Sequence, residues 1–168
     1  MQLRILLPVL LLAAALPASA ARVEMKFDAG ADFTGHETYT WLHGKSAHRE
    51  GVQGTIMDAV ERELASEGLR PVAEEGDLYV AAYVLPGEHT LDELSDPHAW
   101  EYWTGVRTTD TYGVGGGTLV VDLIDGGTDQ VVWRAVSSGS VKGSVKKIEN
   151  RLPKTLSKMF TSYPPPAR

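Results

Sequence analysis

Two β-rich runs facing each other across a short turn constrain this chain more than any other feature. Thr118-Leu119-Val120-Val121-Asp122-Leu123-Ile124 and Gln130-Val131-Val132-Trp133-Arg134-Ala135-Val136 flank Asp125-Gly126-Gly127-Thr128-Asp129. Runs of β-branched and aromatic residues separated by a few turn residues that include glycine close as an antiparallel hairpin. Strict alternation puts Val131, Trp133 and Ala135 on one face of the second strand and Val132, Arg134 and Val136 on the other.

A hairpin alone cannot bury its apolar faces, so the rest of the chain must supply cover. Asp77-Leu78-Tyr79-Val80-Ala81-Ala82-Tyr83-Val84-Leu85 is apolar on both alternating faces, the pattern of a central strand covered on both sides. Val23 to Phe27 and Thr38-Tyr39-Thr40-Trp41-Leu42 predict two further short strands, with a turn at Asp28-Ala29-Gly30 between them. Ile56, Val60 and Leu64 at helical spacing, behind Thr55 with Asp58 three residues on, predict a helix over 55–67 that Gly68 stops. Val145, Ile148, Leu152, Leu156 and Met159 predict a second helix. Pro153 interrupts that stripe: either the helix kinks there, or its regular part begins near Leu152 with the proline in the first turn.

The N-terminus reads as a cleavable export signal. Arg4 precedes an apolar run from Ile5 to Leu16, and Pro17-Ala18-Ser19-Ala20 gives a small-residue cleavage site. That run is shorter than the roughly twenty apolar residues that a spanning helix needs. The expectation is a signal over 1–20, cleavage after Ala20, and one domain over 21–168 without a transmembrane segment, long enough to bury about two-thirds of its unfolded surface. There is no cysteine, which excludes disulfides, thiol catalysis, thiolate metal sites and a lipid-bearing N-terminal Cys. The net charge is −6, and the basic residues between Lys142 and Lys158 are interspersed with apolar ones, which argues against a nucleic-acid partner.

Taken in order, Asp32-Phe33-Thr34, Thr38-Tyr39-Thr40-Trp41, Asp77-Leu78-Tyr79-Val80, Gly117 to Asp125, Val132-Trp133-Arg134, Met159-Phe160 and Tyr163-Pro164-Pro165 resemble a bacterial envelope family, the DUF4136 domains of unknown function. The resemblance implies an α+β sandwich, a largely antiparallel sheet carrying two helices, and supplies no reaction. Many members carry a lipidated cysteine where this chain has Ala21, so a free periplasmic or secreted product is expected here. The stretch 86–116 matches the family poorly and is expected to be a long variable loop region.

Candidate chemistry is sparse. Trp100, Tyr102, Trp103 and Tyr112 lie within that long segment, and aromatic groups in such a place either fold back as a lid on the core or form a contact surface for an envelope protein, lipid or glycan. Arg134, on a strand expected to be mostly interior, serves a salt bridge to Asp122 on the paired strand, stacks on a ring, or binds a ligand anion. His36, His43 and His48 have donor atoms suited to zinc or copper but no helical ligand spacing. His89, Asp92, Glu93, Asp96 and His98 hold carboxylates that would need burial to do acid/base work. The Gly113–Gly117 run leads into a strand, unlike a phosphate loop, which opens a helix. Ser137, Ser138 and Ser140 lack a nucleophile-elbow context. The expected function is a non-catalytic binding or assembly module of the envelope with no cofactor; the alternative is a periplasmic metal-dependent hydrolase built on the histidines or the 89–98 cluster.

Overall fold

A computed structural model describes residues 21–42, 51–94 and 117–165. Six strands form one sheet: β1 (Arg22–Phe27), β2 (Thr38–Trp41), β3 (Arg70–Pro71), β4 (Leu78–Pro86), β5 (Gly117–Asp125) and β6 (Val131–Ser138). Their spatial order is β1-β6-β5-β4-β2-β3. The pairs β1–β6, β6–β5 and β5–β4 are antiparallel, whereas β2 runs parallel to both β4 and β3. Two helices, α1 (Gly51–Ser66) and α2 (Val145–Phe160), pack on each other and on one face. The result is the two-layer α+β arrangement expected from the sequence.

The hairpin of β5 and β6 lies next to β4 in the middle of the sheet. On the helix side Leu78, Val80, Val84, Leu119, Val121, Leu123, Trp133 and Ala135 meet Ile56, Val60, Leu64, Ile148, Leu152 and Leu156. Strict alternation fails at one place in this hairpin. Leu123 pairs with Trp133 but Ile124 pairs with Val131, so Val132 is an extra residue at a bulge. An extra residue turns the neighbouring side chains beyond it to the other face. Val132 therefore joins Trp133 and Ala135 on the helix side, and Val131 packs with Val136 on the far side, the reverse of the alternating assignment for these two valines.

Both helices also depart from their expected boundaries. α1 begins at Gly51, a turn before Thr55, because Val52 extends the apolar stripe of Ile56, Val60 and Leu64 by one more step of four. Thr55 is thus no cap: its hydroxyl donates back to the Gly51 carbonyl at 3.1 Å. At the other end Gly68, at φ +88°, takes the left-handed conformation, and Leu69 N–H reaches the Leu64 carbonyl at 3.1 Å, as a glycine stop requires. α2 continues through Pro153 from Val145 to Phe160. Burial of Ile148, Leu152, Leu156 and Met159 on one stripe offsets the missing amide, whereas Val145, half exposed, lies outside the core.

β3, two residues long, had no periodicity to announce it. Its partner β2 is fixed by Asp77, whose carboxylate accepts from Glu37 N, Thr38 N and Thr38 Oγ1 at 3.0, 2.8 and 2.7 Å. Asp77 N–H in turn donates to Thr38 Oγ1 at 3.0 Å. This clasp sets the start of β2 against the start of β4. Next to it, Gly76 lies so close to the Tyr39–Thr40 backbone that an added Cβ would sit 2.7 Å from Thr40 N. Gly126 approaches Gly76 O as closely, at 2.5 Å from its would-be Cβ, and donates its N–H to Asp77 O at 2.9 Å.

Backbone contacts of this kind cannot relax by side-chain rotation. Gly76→Ala is expected to destabilise by about 2 kcal/mol or more, read as a lower urea midpoint at an unchanged m-value. The Thr38 hydroxyl, followed by the Glu37 and Thr38 amides, holds the Asp77 carboxyl below the usual carboxylate range. A carboxyl depressed in the folded state adds stability that is present above its unfolded value and lost as pH falls toward the folded one. Asp77→Asn should accordingly lose stability at neutral pH and decline less steeply than the parent between about pH 5 and about pH 2 in pH-resolved denaturation.

Candidate functional site

The sheet face turned away from the helices is not bare. Ala81, Tyr83, Leu85, Val120, Ile124 and Val136 form a second apolar cluster, onto which Leu91 and Leu94 fold. In its midst lie three polar side chains from adjacent strands. Arg134 and Asp122 are directly opposed across β5 and β6, and Arg134 grips the carboxylate with both arms, Nε to Oδ1 at 2.6 Å and Nη2 to Oδ2 at 2.8 Å. Tyr83, from β4, donates its hydroxyl to Asp122 Oδ2 at 3.0 Å. Both members of the ion pair are buried.

Burial pushes the Asp122 carboxyl above the usual carboxylate range, and the hydrogen bonds and charge of Arg134 together with the Tyr83 hydroxyl offset part of that rise. Three donors converging on one carboxyl are the surroundings of an ionised acid. Burial and then the Asp122 charge raise the Tyr83 hydroxyl well above its ordinary value, which keeps it a donor. Of the three roles open to Arg134 in the sequence, the structure shows the salt bridge to Asp122.

Arg134 also donates from Nη1 to the Leu94 carbonyl. Glu24 of β1 accepts from Leu91 N at 2.9 Å, Thr118 Oγ1 accepts from His89 N at 2.9 Å, and Ser138 donates to the His89 carbonyl. The segment from Gly87 to Leu94 is therefore stitched to the far face at successive points. Residues 95–116 connect this anchored segment to the start of β5. Trp100, Tyr102, Trp103 and Tyr112 fall in that stretch and lie outside the described residues, as do Asp96, His98, Gly113, Gly115 and Gly116.

Of the 89–98 cluster only His89, Asp92 and Glu93 fall among the described residues, and these three show no catalytic arrangement. Asp92 and Glu93 are exposed, and His89 directs Nε2 to the Pro86 carbonyl at 2.8 Å with Nδ1 3.7 Å from Glu93. Ser140 donates to the Ser137 carbonyl at 2.8 Å, and Ser137 Oγ is buried without a partner among the described residues.

His36 lies at the end of the sheet that carries the β5–β6 turn. Its side chain is 9% exposed, and Nε2 is 3.3 Å from Asp125 Oδ2. Partial burial works to raise the Asp125 carboxyl, but the Thr128 hydroxyl, His36 and the Thr128 and Gly127 amides outweigh it and hold it low. Nδ1 of His36 has no partner among the described residues. His43 and His48 lie outside them, and no three His, Asp or Glu side chains of the described residues gather as metal ligands do.

Beside His36 opens a groove of about 800 Å³ between the 28–36 segment, the end of α1 and the C-terminal tail. Tyr163 reaches it from the tail, with its ring 5.5 Å from Trp133 and 6.0 Å from Phe33. Burial, with a contribution from Glu67, pushes the Tyr163 hydroxyl up to about 12. Neither this groove nor the role of Tyr83 is legible in the sequence. Partners 89 and 39 residues apart leave no local pattern; only the polarity of His36 and of Asp122 within apolar surroundings hinted at either.

The profile of a family described as "Domain of unknown function (DUF4136)" matches residues 23–165, and the chain belongs to that family. A DUF4136 family protein from Bacteroides thetaiotaomicron is similar in structure at a TM-score of 0.59 and 17% identity, over 86% of this chain and 96% of that one. A PDZ domain protein from Parabacteroides distasonis is similar at 0.59 and 13%, over 88% of this chain but 36% of its own length. At these identities the likeness is one of fold. No curated protein matches the chain. No helix of the described residues is long and apolar enough to cross a membrane.

The far-face cluster yields an ordered set of outcomes. Asp122→Asn or Arg134→Met alone strands a buried charge and should cost about 3–5 kcal/mol in urea denaturation. Replacing both, Asp122→Leu with Arg134→Met, should recover most of that loss, and Tyr83→Phe should cost only about 1 kcal/mol.

Proposed function

We propose that this DUF4136 domain is an exported, non-catalytic binding or assembly module of the cell envelope, and that the 95–116 stretch makes its contact with an envelope protein, lipid or glycan. The observation that carries the reading is the anchoring of that stretch. Its entrance is tied to the far face through Leu94 and Arg134, and its exit is the first residue of a central strand, Gly117, which pairs with Pro86. A long connection whose two flanks are held by the sheet is the kind of segment on which binding residues are commonly carried.

The chemistry of the far face fits holding better than turnover. The guanidinium of Arg134 is committed to Asp122 and to a backbone carbonyl, and the carboxylates of the neighbouring turn are exposed. The leader-like first twenty residues and Ala21 in place of a lipidated cysteine support release into the periplasm or beyond.

Location and contact are tested together. Osmotic-shock fractionation followed by N-terminal sequencing should recover a soluble chain that begins at Ala21; a product retained in the cytoplasm at full length overturns export. Photo-crosslinkers at Trp100 and Trp103 should capture a discrete envelope component in living cells, with none captured from positions on the exposed face of α1. If Trp100→Ala with Trp103→Ala lowers the melting temperature by many degrees and no position from 98 to 112 captures anything, these rings cover the core and the contact reading falls.

A further inference from the structure

The two edge strands of the sheet are not alike. β3 is two residues long and ends in Pro71, and a short strand bearing a proline is a common way to blunt an edge. β1, at the other end, runs six residues in unbroken register with β6, without proline or bulge. Asp28 N–H donates inward to the Val132 carbonyl. Backbone groups of successive residues point to opposite sides of a strand, so the N–H and C=O groups of Val23, Met25 and Phe27 point outward. Among the described residues no strand pairs with that side, and such a row is a template for another strand.

The side chains of β1 specify which strand fits. Val23, Met25 and Phe27 lie opposite Ser137, Ala135 and Trp133 of β6, on the helix side, and Phe27 is 37% exposed although it is large and apolar. Arg22, Glu24, Lys26 and, one step on, Asp28 share the other side and alternate in sign. Arg22 pairs with Glu24 within its own strand. Lys26 stands opposite a like charge, Arg134, and no ion pair joins it to an acid among the described residues.

Laid antiparallel against a copy of itself with Met25 facing Met25, β1 sets Arg22 against Asp28, Glu24 against Lys26 and Val23 against Phe27. Every charge then meets its opposite. The same centring brings the outward backbone groups of Val23, Met25 and Phe27 face to face, as reciprocal antiparallel bonds need. Moving the centre by one residue puts Glu24 on Glu24 or Lys26 on Lys26. Moving it by two restores the signs but pairs only one end of the strand. We propose that β1 is the interface of a two-fold dimer, in which the sheets of two copies of this chain join edge to edge with Met25 at the axis. Cross-strand charge pairs and main-chain bonds hold it, and Val23 of the second copy covers Phe27. The surface is separate from the 95–116 stretch, and its test is independent of the envelope reading.

The chain has no cysteine, so Met25→Cys supplies a single thiol that meets its counterpart at the axis, at a separation a disulfide can span. Under mild oxidation it should form a covalent dimer, whereas Arg62→Cys, exposed on α1, should remain monomeric. In light scattering the parent should show a mass that rises with concentration toward twice that of the chain. Lys26→Glu and Glu24→Lys each set like charges against one another across the axis, and each should weaken the dimer about tenfold. Mixed together, the two variants oppose unlike charges in the heterodimer alone and should recover most of the parent's affinity, which also shows that both are folded. A monomer at every concentration, a dimer that neither charge variant weakens, a mixture no tighter than either variant alone, or Met25→Cys coupling no faster than Arg62→Cys would overturn the proposal.

Discussion

A single ion pair, buried between the two strands of the central hairpin, organises the side of this protein that the helices do not cover. Asp122 and Arg134 face each other across β5 and β6. Their contact favours this register of the hairpin, because a slip of either strand by one residue would turn its charge into the helix-side core and leave the other charge unpaired. From that base Arg134 reaches the Leu94 carbonyl, so the pair that sets the register also sets where the long connection leaves the sheet. Satisfying a guanidinium in an apolar setting takes several acceptors; the Asp122 carboxylate and the Leu94 carbonyl are among them. The polar centre of the far face is therefore a device of position, linking strand pairing to loop anchoring.

A second constraint acts at the corner where β2, β4 and the β5–β6 turn meet. Asp77 clasps Thr38, Gly76 and Gly126 let three backbone segments approach within the space of a side chain, and Asp125 holds His36. Rigid backbone packing of this kind leaves the adjoining 28–36 segment and the C-terminal tail to frame an open groove without needing to close over it. The groove at the sheet corner and the anchored 87–94 segment on the far face thus draw on different parts of one scaffold.

Much of the fold was legible in the sequence because its signals are local and periodic. The hairpin, the two-sided strand at 78–86, the Gly68 stop and the α2 stripe each depend on residues within a few positions of one another. Deviations came where tertiary packing overrode the local pattern. The bulge at Val132 inverted two valines, Val52 drew α1 back by a turn, and the two-residue β3 exists only because β2 gives it a partner. For the sites, the pairing of Arg134 with Asp122 could be read because both lie on one hairpin. Tyr83 completes that cluster from a third strand, and the partner of His36 is 89 residues away.

The sequence by itself determined most of the element types, the cysteine-free basis of the core and membership of a family without an assigned reaction. These come from composition and from periods of 2 and 3.6, which a chain carries before it folds. Only the tertiary structure decided which polar groups are satisfied and which are left over. Asp122 and Arg134 neutralise each other inside the sheet, while His36 Nδ1 and Ser137 Oγ are buried without a hydrogen-bond partner among the described residues. Hydrogen-bond satisfaction and charge balance are properties of proximity in space, and at these sequence separations only folding creates that proximity.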